Sequence, residues 1–513
     1  MIRAIRNIRR LFQIMNVLAC HDALFPLERI GAMRDPVYVF RLINRRRKNG
    51  TRPGQRLATA LTELGPSFIK LGQALSTRPD LIGEEVAADL TTLQDRLPPF
   101  SFAQARMIIE EDFDRPLETV YGSFDPVPIA AASIAQVHFA VTSEGAEVAV
   151  KVLRPEVREA FARDFEVFYW LAELIERTQP SIRRLKPVEA VGAFEQTVEM
   201  EMDLRFEAAA AAEFADNFAD DPSFRIPAVD WRRTSQRVLT VERVHGIAID
   251  ERDALLNIGI EPREVVARTA NAFFNMVFRD GFFHGDLHPG NMFVGPKGEV
   301  ILVDFGITGR VDHQTRRYLG EMLLGFLTAD YRRVAEIHFE AGYVPADRSV
   351  DAFTQACRSV AEPIFGRPMN EISIGRLLGH LFKVTETFGM ETQPQLLLLQ
   401  KTMITAEGIG RHLAPDVNMW TLAHPLIENW IRETLGPEAR LRQVVSDIAS
   451  SFEKIPRLIA YSERTAAMFG SGGLRLHPET LAELIGRRGT RSAIITMLPW
   501  TLVVLLVVLL LSR

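Results

Sequence analysis

Apolar and polar positions change period several times along this chain, and the changes divide it into segments. The opening MIRAIRNIRRLFQIM places Ile2, Ile5, Ile8, Leu11, Phe12 and Met15 at helical spacing, with Arg3, Arg6, Arg9 and Arg10 on the remaining faces. Those arginines interrupt any apolar run, which excludes a signal peptide. Two readings fit the helix: a basic amphipathic element resting on anionic lipid, or a surface helix packed on its own domain. The pattern stays helical to about Phe124, over Gln55 to Leu64, from Gly65-Pro66 onward, and over Ser101 to Asp112. The period then shortens. Ile129 to Val137, His138 to Val141 and Glu147 to Leu153 read as strand, small-residue loop and strands around a Ser143-Glu144-Gly145 turn. Helical spacing returns over Pro155 to Thr178 and over Val188 to Phe218, and Gln236 to Arg243 reads as a strand. Pro262 to Asp280 reads as a helix closed by Gly281. Met292 to Val294 and Val300 to Val303 read as a hairpin around Pro296-Lys297-Gly298, and the rest is helical to about Tyr461.

The far end differs in kind. Ala493 to Leu511 carries no charged residue, and as a helix it would span about 28 Å at ~1.5 Å per residue, close to one hydrocarbon core. Arg487, Arg488 and Arg491 precede it, so the positive-inside tendency keeps the bulk of the chain cytoplasmic. The expectation is a transmembrane anchor in the inner (cytoplasmic) membrane, with a buried helix of a soluble core and a re-entrant or paired insertion as the alternatives. Gly470-Ser471-Gly472-Gly473 forms a flexible joint ahead of it.

Composition narrows the chemistry. A chain of 513 residues holds two or three domains. Its net charge of −5 and pI of about 6.2 give no electrostatic support for nucleic-acid binding. Cys20 and Cys357 are the only cysteines, so there is no disulfide framework. His284 and His288 are four apart but sit in a loop broken by Gly and Pro, which argues against a zinc pair.

The chemistry concentrates in His284-Gly285-Asp286-Leu287-His288-Pro289-Gly290-Asn291, followed by Asp304-Phe305-Gly306. This stretch resembles the catalytic centre of protein kinases, where the first aspartate orients the attacking hydroxyl and the asparagine and second aspartate hold magnesium on ATP. The intervening hairpin would set Asn291 and Asp304 side by side, two oxygen ligands for one hard cation. Val148-Ala149-Val150-Lys151 matches the kinase strand whose lysine grips the phosphates. Ahead of it, Ile129, Ala130, Ala131, Ala132, Ser133, Ile134, Ala135, Gln136 and Val137 are candidate nucleotide contacts, with alanines where ordinary kinases carry glycines. Glu207, before the Ala208 to Ala212 run, is the candidate partner of Lys151, and Asp203 lies four residues before it on the same predicted face. Glu242 and Val244, in the connector after the strand, would offer backbone groups to adenine. No Ala-Pro-Glu follows Asp304.

Two further motifs extend the match. Lys70-Leu71-Gly72-Gln73 and Glu201-Met202-Asp203, together with the alanine loop and the two aspartate loops, resemble the UbiB family of atypical kinases (the aarF/ADCK group), tied to ubiquinone biosynthesis. The resemblance implies an α+β, atypical protein-kinase-like bilobal fold with a helical N-terminal extension and a C-terminal transmembrane helix. The expected parts are an extension over 1–124, an N-lobe with a helical insertion over 125–247, and a mostly helical C-lobe over 248–461. A linker over 462–492 and the anchor over 493–511 follow. It further implies Asp286, Lys151 and Glu207 as catalytic residues, Asn291 and Asp304 as ligands of Mg2+, and ATP as the nucleotide. Lys70, Gln73, Glu201 and Asp203 become regulatory residues, with Lys70 reaching toward Glu201. The implied function is a membrane-anchored kinase or ATPase supporting ubiquinone biosynthesis. Membrane lipids, prenylated quinone intermediates and other enzymes of that pathway are the implied partners. A small-molecule phosphotransferase and a non-catalytic, nucleotide-gated scaffold are the alternatives.

Overall fold

A computed structural model describes most of residues 2–432, apart from 29–50, 77–81, 179–185, 364–383 and short gaps within 91–96, 385–392 and 418–431. The expected joint at Gly470, the linker and the anchor Ala493 to Leu511 lie outside the described residues. Among the described residues no helix is long and apolar enough to cross a membrane.

The architecture is the kinase-like, bilobal α+β arrangement. In the first lobe, strands β1 (Tyr121–Phe124), β2 (Ala130–Ala131), β3 (Ala135–Thr142) and β4 (Glu147–Leu153) pair antiparallel. Strand β5 (Phe224–Arg225) joins the other lobe, while β6 (Val238–Glu242) completes this sheet beside β4. Alternation decides the two faces. Val148, Val150 and Val152 turn to a buried layer with Ile108 and Ile109 of helix Phe102–Phe113. Lys151, Val137 and Leu239 are cross-strand partners on the opposite face. Helix Phe102–Phe113 starts at a Ser101 cap whose hydroxyl accepts from the Gln104 N–H, and the sequence grouped it with the extension.

The second lobe holds β7 (Ile247–Ala248), β9 (Met292–Val294) and β10 (Val300–Leu302) in a sheet of order β5-β10-β9-β7, and a ribbon of β8 (Phe282–His284) with β11 (Thr308–Arg310). The β9–β10 hairpin is the one the turn residues predict. Strand β11 is a correction, since the sequence reads as helical beyond Gly306. It forms because Thr308 to Arg310 pair residue for residue with His284 to Phe282. Gly309 lies under the buried Phe283 ring, where a Cβ would come within 2.3 Å of Phe283 Cζ. Gly309→Ala is therefore expected to cost about 1–3 kcal/mol, seen as a lowered urea midpoint with an unchanged m-value.

Two predicted helices are also corrected. Val188 to Phe218 is two helices, Pro187–Glu201 and Leu204–Asn217, because Asp203 takes extended backbone and caps the second through the Arg205 N–H. Asp203 therefore does not share a helical face with Glu207. Pro262 to Asp280 is an α-helix to Phe274 and a π-helical turn over Asn275–Asp280, whose Phe278 carbonyl accepts from the Trp430 indole at 2.8 Å. At the N-terminus, Ile14, Met15 and Leu18 of helix Ile2–Cys20 are buried against Leu57, Leu61 and Phe68, so that part of the helix packs on its own domain.

Candidate active site

Helix Leu204–Asn217 sits at the seam between the lobes. Leu204 and Ala208 belong to the core beneath the first sheet, while Ala211 and Phe214 belong to that of the second lobe, where Phe214 stacks on Phe282 at 4.5 Å. The alanine run lets both cores approach one helix closely, and Glu207 emerges between them. Its carboxylate receives Lys151 Nζ at 2.8 and 2.9 Å, and the same ammonium reaches Asp304 Oδ1 at 3.1 Å. Burial alone would lower the pKa of Lys151, but Asp304 and Glu207 outweigh it and raise it. Burial pushes Glu207 up to about 7 against the pull of Lys151, with the Asp304 charge adding to the rise. Withdrawal from water works to raise the half-exposed Asp304, yet the Lys151 ammonium holds that carboxyl below the usual carboxylate range.

The two aspartate loops are tied by His284. Its Nε2–H donates to the Asp304 carbonyl at 2.6 Å while its Nδ1 accepts from the Asp286 N–H at 3.1 Å. Burial depresses its pKa, so the ring works as a neutral tautomer with one donor and one acceptor, not as a metal ligand. Asp304 itself adopts a left-handed backbone, φ 62°, a conformation a non-glycine residue holds only where its surroundings enforce it. Asn291 donates through Nδ2 to the Asp286 carbonyl at 3.1 Å, and its own carbonyl accepts from the Val303 N–H at 2.9 Å, which brings it beside Asp304. The Asn291 Oδ1 and the Asp304 carboxylate are hard oxygen donors suited to magnesium, with phosphate or water oxygens completing the shell. Among the described residues no group of three or more His, Cys, Asp or Glu forms a self-sufficient metal site.

Other predicted nucleotide contacts divide. Ala130 and Ala131 pair with Val137 and Gln136 as a short hairpin, and the Ala132 carbonyl accepts from Arg154 Nε at 2.9 Å. Val137 shares the Lys151 face. Ser133 and Gln136 are wholly buried, and Ile134 and Ala135 belong to the hydrophobic core, so none of these four side chains is exposed. Gln136 instead accepts from the Phe100 N–H at 3.0 Å. In the connector, the Glu242 N–H is taken by the Ala228 carbonyl at 2.8 Å and its carboxylate by Arg225, so that N–H is not available to a base. Val244 follows beyond the end of the strand, half-buried.

The extension meets the first lobe through two ion pairs, Lys70 with Glu201 at 2.7 Å and Arg10 with the buried Asp164 at 2.7 Å, among the described residues. Gly72 lets the Lys70 helix approach Leu61 and Leu93, and Gln73 lies half-buried on the same helix. Asp203 does not join them. Its carboxylate is held by Arg205 at 2.9 and 2.6 Å, which depresses its pKa.

One site residue had no signal in the sequence. Lys401, on helix Pro394–Leu413, places Nζ 3.2 Å from Asp286 Oδ1.

With this geometry in place, the similarities to known proteins are informative. Residues 92–338 match the ABC1 atypical kinase-like domain, and residues 357–418 the UbiB helical domain. A probable protein kinase UbiB of Azotobacter vinelandii is 40% identical over 473 residues, covering 90% of this chain and 86% of that protein. One of Marinobacter nauticus is 43% identical over 409 residues, covering 79% and 75%. Among solved structures, the complex of Rv3197 with erythromycin from Mycobacterium tuberculosis aligns with a TM-score of 0.52 at 25% identity, over 77% of this chain and 98% of that one.

Proposed function

The chain belongs to the UbiB family of ABC1 atypical kinases, and on that premise we propose that it binds MgATP and moves the γ-phosphoryl group to water or an acceptor at a membrane surface, in support of ubiquinone biosynthesis. The observation that carries this reading is the meeting of Lys151, Glu207 and Asp304 within 3.1 Å at the seam of two lobes, with Asn291 and Asp286 on the adjoining loop. Lys151, steered by Glu207, holds the α- and β-phosphates. Asn291 and Asp304 hold magnesium, which when bound neutralises charge on the phosphate chain. Asp286 orients the attacking hydroxyl or water and takes its proton. The uncharged run Ala493 to Leu511 supports action at a membrane.

The test uses the full-length chain with anionic liposomes. Wild type should release ADP from ATP in the presence of magnesium, and Asp286→Asn should lower turnover by about 10³-fold while keeping the ATP-induced rise in Tm. A deletion strain should lose quinone, regain it with wild type and not with Asp286→Asn. Normal quinone in the deletion strain would remove the pathway assignment.

A further inference from the structure

Between Gly285 and Asn291 the Asp286 loop contains no lysine or arginine. A carboxylate facing a triphosphate with no cation beside it repels the very group it must serve. Among the described residues an ammonium reaches it from 115 positions further on, as Lys401 at 3.2 Å from Asp286 Oδ1. His288 does not fill the role: its Nδ1 accepts from the Gly290 N–H, and its Nε2 lies 3.7 Å from Asp286 Oδ2.

The lysine is delivered on a fixed support. Helix Pro394–Leu413 buries Leu399, Ile409 and Leu413 in the second lobe's core, and the wholly buried Thr402 returns its hydroxyl to the Leu398 carbonyl. Leu398 sits directly on Gly285, where a Cβ would come within 3.0 Å of Leu398 Cδ2. Gly285 therefore admits the helix to the loop one residue before Asp286. An exposed lysine–carboxylate pair is usually worth little, but here the stem is one-third exposed, its helix cannot slide, and its partner is the residue on which the transfer turns.

We propose that Lys401, supplied by the helical domain, positions Asp286 and binds the transferred phosphoryl group. The proposal rests on the phosphoryl-transfer reading above. An ammonium has three N–H donors; one goes to Asp286, and the others face phosphate oxygens beside it. During transfer the bond from the γ-phosphorus to the bridging oxygen breaks as the bond to the attacking oxygen forms. ADP leaves with that electron pair, and the acceptor's proton passes to Asp286 and on to solvent. Lys401 holds the Asp286 carboxylate toward the attacking oxygen and meets the charge on the phosphoryl oxygens. The helical domain thereby adds an ammonium beside Asp286, where the loop from Gly285 to Asn291 supplies no lysine or arginine of its own.

The experiment compares wild type, Lys401→Met and Lys401→Arg in the full-length chain. Methionine keeps the apolar stem, so Tm without nucleotide should be unchanged. Lys401→Met should lower kcat by about 100-fold, keep the ADP-induced rise in Tm, and lose the extra rise that ATP gives over ADP. Lys401→Arg should restore at least about tenfold of the lost kcat, since it keeps charge and donors. A Lys401→Met kcat within about threefold of wild type, or arginine no better than methionine, overturns the proposal while wild type remains active. A wild-type chain with neither turnover nor a nucleotide-induced shift overturns this inference and the proposed function together.

Discussion

Asp304→Asn should abolish magnesium-dependent turnover, lowering it by about 10³-fold or more, a transition-state loss of at least about 4 kcal/mol. The change removes the carboxylate of a two-ligand magnesium site, and Asn291 Oδ1 alone is a neutral donor. It also takes one of two carboxylates from Lys151, which still keeps Glu207. The fold should survive, because asparagine is the side chain after glycine that best tolerates the left-handed backbone at this position. Stability should respond to acid in a defined sense. Lys151 holds the Asp304 carboxyl below its ordinary value of 3.8, so its contribution is fully present above that pH and is lost as pH falls below it. The asparagine variant should lack that part of the acid slope. ADP release with and without magnesium, and urea midpoints between pH 3 and pH 6, check both statements.

Lys151→Met should have the largest effect on stability, about 3–5 kcal/mol, because it leaves Glu207 buried with no cation. Nucleotide binding should be lost as well, since the same ammonium grips the phosphates. The deficit should depend on pH. Burial already pushes Glu207 up to about 7 with the lysine present, and removing the lysine takes away the influence that lowers it. A raised carboxyl pKa favours the folded state at low pH, and that advantage is lost as pH rises through the folded value. The variant should therefore be least impaired at acid pH and most impaired above neutrality. Adding Glu207→Gln should recover most of the stability and none of the turnover, which separates the structural cost from the chemical one.

The parts of this molecule that could be read directly are those whose causes are local. The hairpin between Asn291 and Asp304 follows from strand residues around a Pro-Lys-Gly turn, and the loop before it is recognisable by spacing alone. The break at Asp203 had a signal, an aspartate positioned to cap Leu204, but a continuous helical pattern on both sides masked it. Strand β11 had almost none, since Thr308 to Arg310 become a strand only by pairing with residues before the loop. Ser133 and Gln136 were assigned to the nucleotide by position in a motif, whereas both are buried, Ser133 in the turn between two strands and Gln136 through its bond to Phe100.

What the order of residues determined is which chemical groups exist and which lie together within a turn or a hairpin: the Asp286 loop, the Asn291–Asp304 neighbourhood, the lysine strand, the alanine run beside Glu207. What only the tertiary structure decided is which charge faces which. Lys151 and Glu207 are 56 positions apart, Lys151 and Asp304 153, and Lys401 and Asp286 115. Charge interactions depend on separation in space and on the water excluded between the groups, neither of which is written in sequence distance. A lysine on an amphipathic helix looks the same whether it ends in solvent or against a carboxylate, and the packing of Leu398 on Gly285 is what makes the difference for Lys401.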